Sequence, residues 1–173
     1  MPNLPFPKAE FSDVLAANST YAENFTSEHL TGTAAKGLAI ITCMDSRISP
    51  LAIVGMKPGD VKILRNAGAR VTDDVLRTLV LATFLLGVNR VLVMPHTDCR
   101  MASATEPEIH ETILQEHGVD TRSVEFRTVS DPISALQIDV KRIRTHPLLI
   151  ANSVLVGGAI FDVHTGELKP YDF

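Results

Sequence analysis

Two short motifs in this sequence place thiol, imidazole, carboxylate and guanidinium groups at close spacing. In CMDSR, the residues Cys43, Asp45 and Arg47 alternate directly after an apolar run. In HTDC, His96 and Cys99 lie three residues apart, so both side chains can point the same way within one turn. The two thiols are the only cysteines of the chain. Two thiolates and an imidazole suit tetrahedral zinc, and three protein ligands leave one position open, as in catalytic zinc sites.

Asp45 has two alternative roles beside such a metal. Its carboxylate could fill the fourth position and close the site to water. Alternatively, Arg47 could hold the carboxylate off the metal in a charge-assisted pair, leaving it to orient a zinc-bound hydroxide. High pH would favour hydroxide in the fourth position and low pH the closed form, so the sequence predicts a pH-dependent switch.

The same residues also have interpretations that involve no metal. Each cysteine by itself could be a small core residue, and the two together could be a redox pair. Asp45 and Arg47 could form a surface ion pair of little energetic value. Asp98 is interpreted as the cap of a helix after the HTDC motif. Because both cysteines and the histidine follow predicted strands, metal binding is the favoured hypothesis.

The elements that must position these motifs are a series of strands. Short continuous apolar runs are typical of strands covered on both faces. Such strands are predicted at residues 37–42, 61–64, 90–94 and 154–161, with a further candidate at 124–129. A short return strand is predicted at Leu168, antiparallel and at an edge of the sheet.

Helices are predicted from periodic apolar residues and from capping residues. The predicted caps are Ser12, Thr72, Thr105 with Glu108 as a capping box, and Asp131. The predicted apolar faces comprise Val14, Leu15, Tyr21, Ala22 and Phe25 in the first helix, Val75, Leu76, Leu79, Val80, Thr83 and Phe84 in the second, and Ile133, Leu136, Val140 and Ile143 in the fourth. The first helix follows no strand, so its apolar face is expected to pack against a surface other than this sheet.

Alternating strands and helices predict an α/β fold with a mostly parallel central sheet and helices on both faces. In such sheets, ligands bind beyond the carboxyl ends of the strands. The segments CMDSR, RNAGAR at 65–70 and HTDCR all follow predicted strands at that edge. The chain of 173 residues is interpreted as one domain, with an N-terminal arm and helix at 1–35 and an α/β core at 36–173.

Composition narrows the class of protein. A net charge of −4 with dispersed basic residues argues against nucleic acid as a partner. The chain contains no apolar run of the roughly 18 residues that a membrane span needs. The prolines of MPNLPFPKAEF interrupt the apolar core that a signal peptide requires, so a cytoplasmic location with reduced cysteines is expected.

The motifs resemble those of the β-class carbonic anhydrases. The resemblance rests, in order along the chain, on Cys43-x-Asp45-x-Arg47, Arg65-Asn66-Ala67-Gly68 and His96-x-x-Cys99. It extends over roughly residues 10–165, and the chain length and the RNAGARVTDD segment are most similar to the small subgroup of that family.

This resemblance implies one zinc ion per chain, held by Cys43, His96 and Cys99, with Asp45 and Arg47 as the catalytic dyad. It implies reversible hydration of CO2 to bicarbonate and a proton by zinc-bound hydroxide. It also implies a homodimer, or a larger assembly of dimers, in which the N-terminal helix packs on the partner subunit.

The chain departs from the family pattern after the second cysteine, where relatives usually have glycine and this sequence has Arg100. Arg100 could narrow the entrance to the site, attract bicarbonate, or point into a dimer contact. Arg100 is therefore a candidate for the substrate pocket, together with Asn66, Ala67 and Gly68 of the RNAG segment, where the glycine permits close backbone approach.

Two alternative functions remain open at the level of sequence. Carbonyl sulfide and carbon disulfide hydrolases resemble the same small subgroup and share its zinc site, differing in the width and lining of the pocket. A non-catalytic α/β domain could instead bind an anion through RNAGAR and Arg100, although no dinucleotide or P-loop glycine motif is present.

Overall fold

The computed structural model describes residues 5–173, so the first four residues of the predicted N-terminal arm lie outside the described residues. The chain divides into two compact units, one ending at Thr31 and the other spanning Gly32–Phe173. Among residues 5–173, no helix is long and apolar enough to cross a membrane.

The first unit contains one helix, α1, at Ser12–Glu23. The prediction that Ser12 caps this helix is wrong, because the cap is Phe11, whose carbonyl accepts the first helical hydrogen bond from Leu15. The predicted apolar face includes Val14 and Tyr21, which are 55% and 62% exposed in the single chain. Phe25, predicted to belong to the same face, follows the end of the helix.

The second unit contains a five-stranded sheet with the order β2-β1-β3-β4-β5. The first four strands are parallel, and β5 runs antiparallel to β4 at the edge. The strands are β1 at Leu38–Cys43, β2 at Val61–Asn66, β3 at Arg90–Met94, β4 at Leu155–Phe161 and β5 at Leu168–Tyr171. The predicted mostly parallel sheet with an antiparallel edge strand is confirmed.

The central strand β1 is buried on both faces, which explains its continuous apolar sequence. Its alternate residues enter two different cores. Ala39 and Ile41 pack in a core with side chains from three of the helices. Leu38 and Ile40 face the other way, into a second core. Both cores form because successive side chains of a strand point to opposite faces of the sheet.

Six helices of at least four residues occur among residues 5–173. After α1, these are α2 at Pro50–Ile53, α3 at Asp73–Leu85, α4 at Glu106–His117, α5 at Pro132–Arg144 and α6 at Pro147–Ala151. The predicted caps of α3, α4 and α5 are confirmed: Thr72 accepts a hydrogen bond from Val75 N, Thr105 and Glu108 form a capping box, and Asp131 accepts one from Ile133 N.

Two apolar residues assigned to buried helix faces are exposed in the single chain. Phe84 of α3 is 52% exposed and Ile133 of α5 is 45% exposed. Phe84 is the second-last residue of α3 and Ile133 is the second residue of α5. The central members of each face, such as Leu79 and Val140, are fully buried as predicted.

The predicted strand at 124–129 is wrong. This segment forms no ladder, and its backbone is bound by other groups instead. The Glu106 carboxylate accepts hydrogen bonds from the backbone N–H groups of Phe126 and Arg127, and Val129 N–H donates to the Met101 carbonyl. Arg127 has φ of 60°, a left-handed conformation that interrupts a strand.

Candidate metal centre

Cys43 is the last residue of β1, one residue beyond the predicted end of that strand. Because β1 lies between β2 and β3, the segment after Cys43 lies beside the ends of both neighbours. Cys43 pairs in register with Asn66 at the end of β2, and its carbonyl accepts a hydrogen bond of 2.9 Å from Arg65 Nε. The Cys43 side chain is buried.

His96 and Cys99 are positioned by the turn that follows β3. Pro95 and Thr97 exchange backbone hydrogen bonds with Phe161 of β4, which extends the pairing past the end of β3. Asp98 then adopts φ of 53°, a left-handed conformation that reverses the chain. As a result, Cys99 returns toward the buried His96.

The structure brings Cys43, His96 and Cys99 together, with one ligand atom of each within 4.8 Å of the others. The two sulfur atoms are 3.9 Å apart. Tetrahedral coordination with zinc–sulfur bonds of about 2.3 Å requires a sulfur–sulfur distance of about 3.8 Å. The thiol spacing therefore fits a metal of this kind.

The His96 imidazole is also oriented for a metal. Its Nδ1 lies 2.8 Å from the Thr97 carbonyl oxygen, so Nδ1 carries the proton and donates it to that carbonyl. Its Nε2 is buried and has no hydrogen-bond partner among residues 5–173, which is costly for a polar atom. A metal ion between Nε2 and the two sulfurs would satisfy this atom, and the carbonyl contact fixes the required tautomer.

The protonation of the two thiols is uneven. A hydrogen bond from the Cys99 thiol lowers the pKa of Cys43 to about 3, against the effect of burial. The same hydrogen bond, with burial, raises the pKa of Cys99. Burial lowers the pKa of His96, but Cys43, the Thr97 carbonyl and Asp45 together raise it overall. A metal would replace the proton that the two sulfurs share.

The Arg47 guanidinium binds two carboxylates. Its Nε and Nη2 donate to the two oxygens of Asp45 at 3.0 and 2.8 Å, and its Nη1 donates to Asp98 Oδ2 at 2.7 Å. These contacts lower the pKa of Asp45 and of Asp98, so both carboxylates remain ionised. Asp45 Oδ2 is 3.8 Å from His96 Nε2, and therefore lies beside the three ligand atoms while it is held by arginine.

Asp98 does not cap a helix, contrary to prediction. The residue preceding the short 3₁₀ turn Arg100–Ala102 is Cys99, and no side-chain cap is made there. Asp98 binds Arg47 instead, through its carboxylate and through a backbone carbonyl 3.0 Å from Nη2. The two residues are 51 positions apart, so no local sequence pattern indicated this contact.

The RNAG segment forms a closed loop next to the metal-ligand residues. Asn66 uses both its side-chain oxygen and its nitrogen on the backbone of Arg70, at 2.8 and 2.7 Å, which closes the loop. Ala67 begins the 3₁₀ turn Ala67–Ala69, and Gly68 has φ of 76°. A Cβ on Gly68 would lie 3.2 Å from Met101 Cγ, so glycine is needed for the close approach of two loops.

A second charged contact fixes this loop to α5. Arg70 Nε donates to Asp139 Oδ2 at 2.7 Å, and the two side chains are 16% and 6% exposed. Arg70 Nη1 also donates to the Arg127 carbonyl at 3.2 Å. Asp139 was not singled out from the sequence, because a single aspartate on a helix gives no signal of its partner 69 residues away.

Two cavities adjoin the ligand residues. A small, largely apolar cavity of about 20 Å³ reaches His96 and Cys99 and is lined by Gly68, Val129 and Leu136 among others. An open depression of about 270 Å³ lies over Asp45 and Cys99. Its other lining residues are Arg47, Asp98, Arg100 and Ser103. Of the predicted pocket residues, Gly68 thus lines the small cavity and Arg100 the open depression.

Comparison with known proteins identifies the family. Residues 38–168 match the carbonic anhydrase family model. Over 158 residues, the chain is 36% identical to beta-carbonic anhydrase 1 of Mycobacterium tuberculosis, covering 91% of this chain and 94% of the relative. The crystal structure of the carbonic anhydrase from Streptococcus mutans superposes with a TM-score of 0.87 at 33% identity, covering 98% of this chain and 100% of the other. The chain therefore belongs to the β-carbonic anhydrase family.

Relatives named for another activity also match. The carbon disulfide hydrolase of Acidianus sp. (strain A1-3) is 30% identical over 156 residues, covering 76% of each chain. The chain thus has relatives named for two different activities, carbonic anhydrase and carbon disulfide hydrolase.

Proposed function

We propose that this protein catalyses the reversible hydration of CO2 to bicarbonate and a proton, with one zinc ion held by Cys43, His96 and Cys99. The observation that carries the proposal is the convergence of two sulfurs and the unpartnered His96 Nε2 within 4.8 Å. When bound, zinc would supply Lewis acidity and a water molecule of lowered pKa at neutral pH.

Asp45 is proposed to orient the attacking water molecule. Its carboxylate is ionised and can therefore only accept hydrogen bonds. Asp45 Oδ2 lies 3.8 Å from His96 Nε2, beside the three ligand atoms. It can therefore accept a hydrogen bond from a water molecule at the metal position. A lone pair of that water then points toward the carbon of CO2.

Arg47 is proposed to hold Asp45 in this role. Its guanidinium donates two hydrogen bonds to Asp45 and two to Asp98, which fixes its orientation. Of the two roles open for Asp45 at the level of sequence, this arrangement supports the one in which arginine keeps the carboxylate off the metal. A metal ion bound to Asp45 Oδ2 would compete with Arg47 Nη2 for that oxygen.

Hydrolysis of carbon disulfide or carbonyl sulfide is the second candidate, because carbon disulfide hydrolases are among the relatives. Sulfur is larger than oxygen, so these substrates need more room beside the metal. The apolar cavity next to His96 and Cys99 has a volume of about 20 Å³, room for about one water-sized molecule. The cavity would have to widen for any of these substrates, and less for CO2 than for the larger sulfur compounds.

The proposal is tested by stopped-flow CO2 hydration between about pH 6.5 and 9, with zinc content measured on the same preparation. Release of hydrogen sulfide from carbonyl sulfide and carbon disulfide is measured in parallel. Zinc near one equivalent per chain with CO2 turnover supports the proposal. Zinc-dependent sulfide release without CO2 hydration would favour the second candidate.

Asp45→Asn tests the role of the carboxylate. This variant keeps the size of the side chain but removes the charge, so we expect zinc to be retained and turnover to fall by about 100-fold. Asp74→Asn is a matched control, because Asp74 forms only an exposed pair with Arg77 on α3. Full activity of Asp45→Asn at neutral pH would show that the assignment is wrong.

We also propose that the protein acts as a homodimer in the cytoplasm. The exposed apolar residues of α1, among them Val14 and Tyr21, support burial against a second copy. Metal binding by two thiolates requires reduced cysteines, which supports an intracellular location. Light scattering coupled to size-exclusion chromatography measures the oligomeric state directly.

A further inference from the structure

We propose that Arg100 forms an anion subsite at the mouth of the metal centre, which binds bicarbonate and does not bind neutral CO2. This inference rests on the proposed function, since it assigns the charged partner of that reaction to a named side chain. It concerns the one position at which the chain departs from the usual sequence after the second cysteine.

The position of Arg100 is suited to this role. It directly follows Cys99 and lines the open depression of about 270 Å³ that also contains Asp45. Arg47 and Arg100 both form part of the wall of this depression, beside Asp45 and Cys99. Both arginines are at the surface, so a small ion can reach them from solvent.

Arg47 is already occupied. Its Nε, Nη1 and Nη2 groups donate to the carboxylates of Asp45 and Asp98, and Nη2 also donates to the Asp98 carbonyl. Arg65, nearby, donates to the backbone carbonyls of Cys43 and Asp45. The Arg47 guanidinium is therefore committed to two aspartates, whereas Arg65 is not among the residues that line the open depression.

Arg100 is not occupied in this way. Its recorded hydrogen bond is from Nη1 to the Ser103 hydroxyl, at 3.3 Å. Within residues 5–173, it forms no ion pair with an acidic side chain at 4.0 Å or less. A guanidinium has five N–H donors, so a planar fork remains for an external acceptor.

The charge balance of the depression points the same way. The four charged residues of its wall are Asp45, Asp98, Arg47 and Arg100, so their formal charges cancel. Without Arg100, two carboxylates would face a single guanidinium and the wall would carry one negative charge. That charge would repel a bicarbonate ion, whereas it would leave the approach of uncharged CO2 unaffected.

Bicarbonate matches this fork in charge and shape. Its planar carboxylate can accept two parallel N–H bonds, the arrangement that arginine makes with carboxylates. CO2 has no net charge and gains little from the guanidinium. Arg100 should therefore alter the affinity for bicarbonate and similar anions while it leaves the affinity for CO2 nearly unchanged.

The test uses zinc-loaded protein and two kinds of measurement. The first is calorimetric titration with nitrate, a planar, singly charged ion that cannot react, at constant ionic strength. The second is KM for bicarbonate in the dehydration direction and for CO2 in the hydration direction. The variants are Arg100→Ala and Arg100→Lys, with Arg77→Ala as a control of equal charge change on the exposed face of α3.

We expect Arg100→Ala to weaken nitrate binding and raise KM for bicarbonate by about three- to tenfold, with KM for CO2 changed less than about twofold. Arg100→Lys should recover part of the loss, and Arg77→Ala should match the wild type. Equal nitrate affinity in Arg100→Ala and wild type, or equal increases in both KM values, would overturn the subsite. Because nitrate binding requires no turnover, absence of CO2 hydration would count against the proposed function and leave this test intact.

Discussion

The ion pair between Arg70 and Asp139 provides a direct test of how the metal-centre loop is fixed. Replacing Asp139 by leucine leaves the Arg70 guanidinium, 16% exposed, without its counter-charge. A buried pair that loses one partner typically destabilises a protein by about 3–5 kcal/mol, because an uncompensated charge remains buried. We expect a loss near the lower end for Asp139→Leu, since Arg70 retains the Arg127 carbonyl as an acceptor.

A second ion pair of similar length but greater exposure serves as a comparison. Asp120 and Arg122 are 2.6 Å apart, compared with 2.7 Å for Arg70 and Asp139, but their side chains are 50% and 76% exposed. Exposed pairs typically contribute about 0–1 kcal/mol. Asp120→Leu should therefore have a small effect on the free energy of unfolding, although the ion pair it removes is the shorter one.

The assay is urea unfolding followed by circular dichroism, with zinc and protein concentrations held constant across variants. In a parallel thermal unfolding experiment, a loss of about 3 kcal/mol corresponds to a decrease in Tm of roughly 6–12 °C for a chain of this length. The double variant Arg70→Met with Asp139→Leu removes both charges and should recover most of the loss. If Asp139→Leu and Asp120→Leu had equal effects, or if the double variant were as unstable as Asp139→Leu, the argument from burial would be refuted.

Two further predictions concern the metal and a helix cap. Cys43→Ser should lose zinc and CO2 hydration together, because an alcohol is a poor replacement for a thiolate ligand. Elemental analysis of the variant measures its zinc content. Retained zinc would contradict the assignment of Cys43 as a ligand. Hydrogen bonds from Ser134 and from Ile133 N lower the pKa of Asp131 in the folded protein. The ionised Asp131 side chain therefore stabilises the fold at pH values above its unfolded pKa of about 4. This stabilisation is lost as the pH falls through the pKa of Asp131 in the folded protein. The difference in unfolding free energy between wild type and Asp131→Ala should therefore shrink as pH is lowered from about 5 toward 2; a difference that is independent of pH would disprove this linkage.

Much of the fold could be predicted because the relevant signals are local. The apolar run ending at Cys43 indicated a strand buried on both faces, and that strand is central in the sheet. The caps Thr72 and Thr105 specify helix starts through hydrogen bonds that close within three residues. Boundaries were less certain: α1 starts at Ser12, which was predicted to be its cap.

The strand predicted at 124–129 shows where local pattern failed. Its composition of β-branched and aromatic residues fits a strand, but a strand also needs an edge with which to pair. In the folded chain, the Glu106 carboxylate binds two of its backbone N–H groups and Met101 binds a third. A contact from another element thus replaced the ladder that the pattern predicted.

For the candidate site, the sequence by itself determined the ligand types and their placement at strand ends. Since parallel strands share one carboxyl edge, Cys43, His96 and Cys99 were expected to meet, and their ligand atoms lie within 4.8 Å. Only the tertiary structure decided the charged contacts around them. Asp98 binds Arg47 across 51 residues and Asp139 binds Arg70 across 69. Such partners depend on the paths of intervening loops, whereas hydrophobic periodicity records only which face of each element is buried.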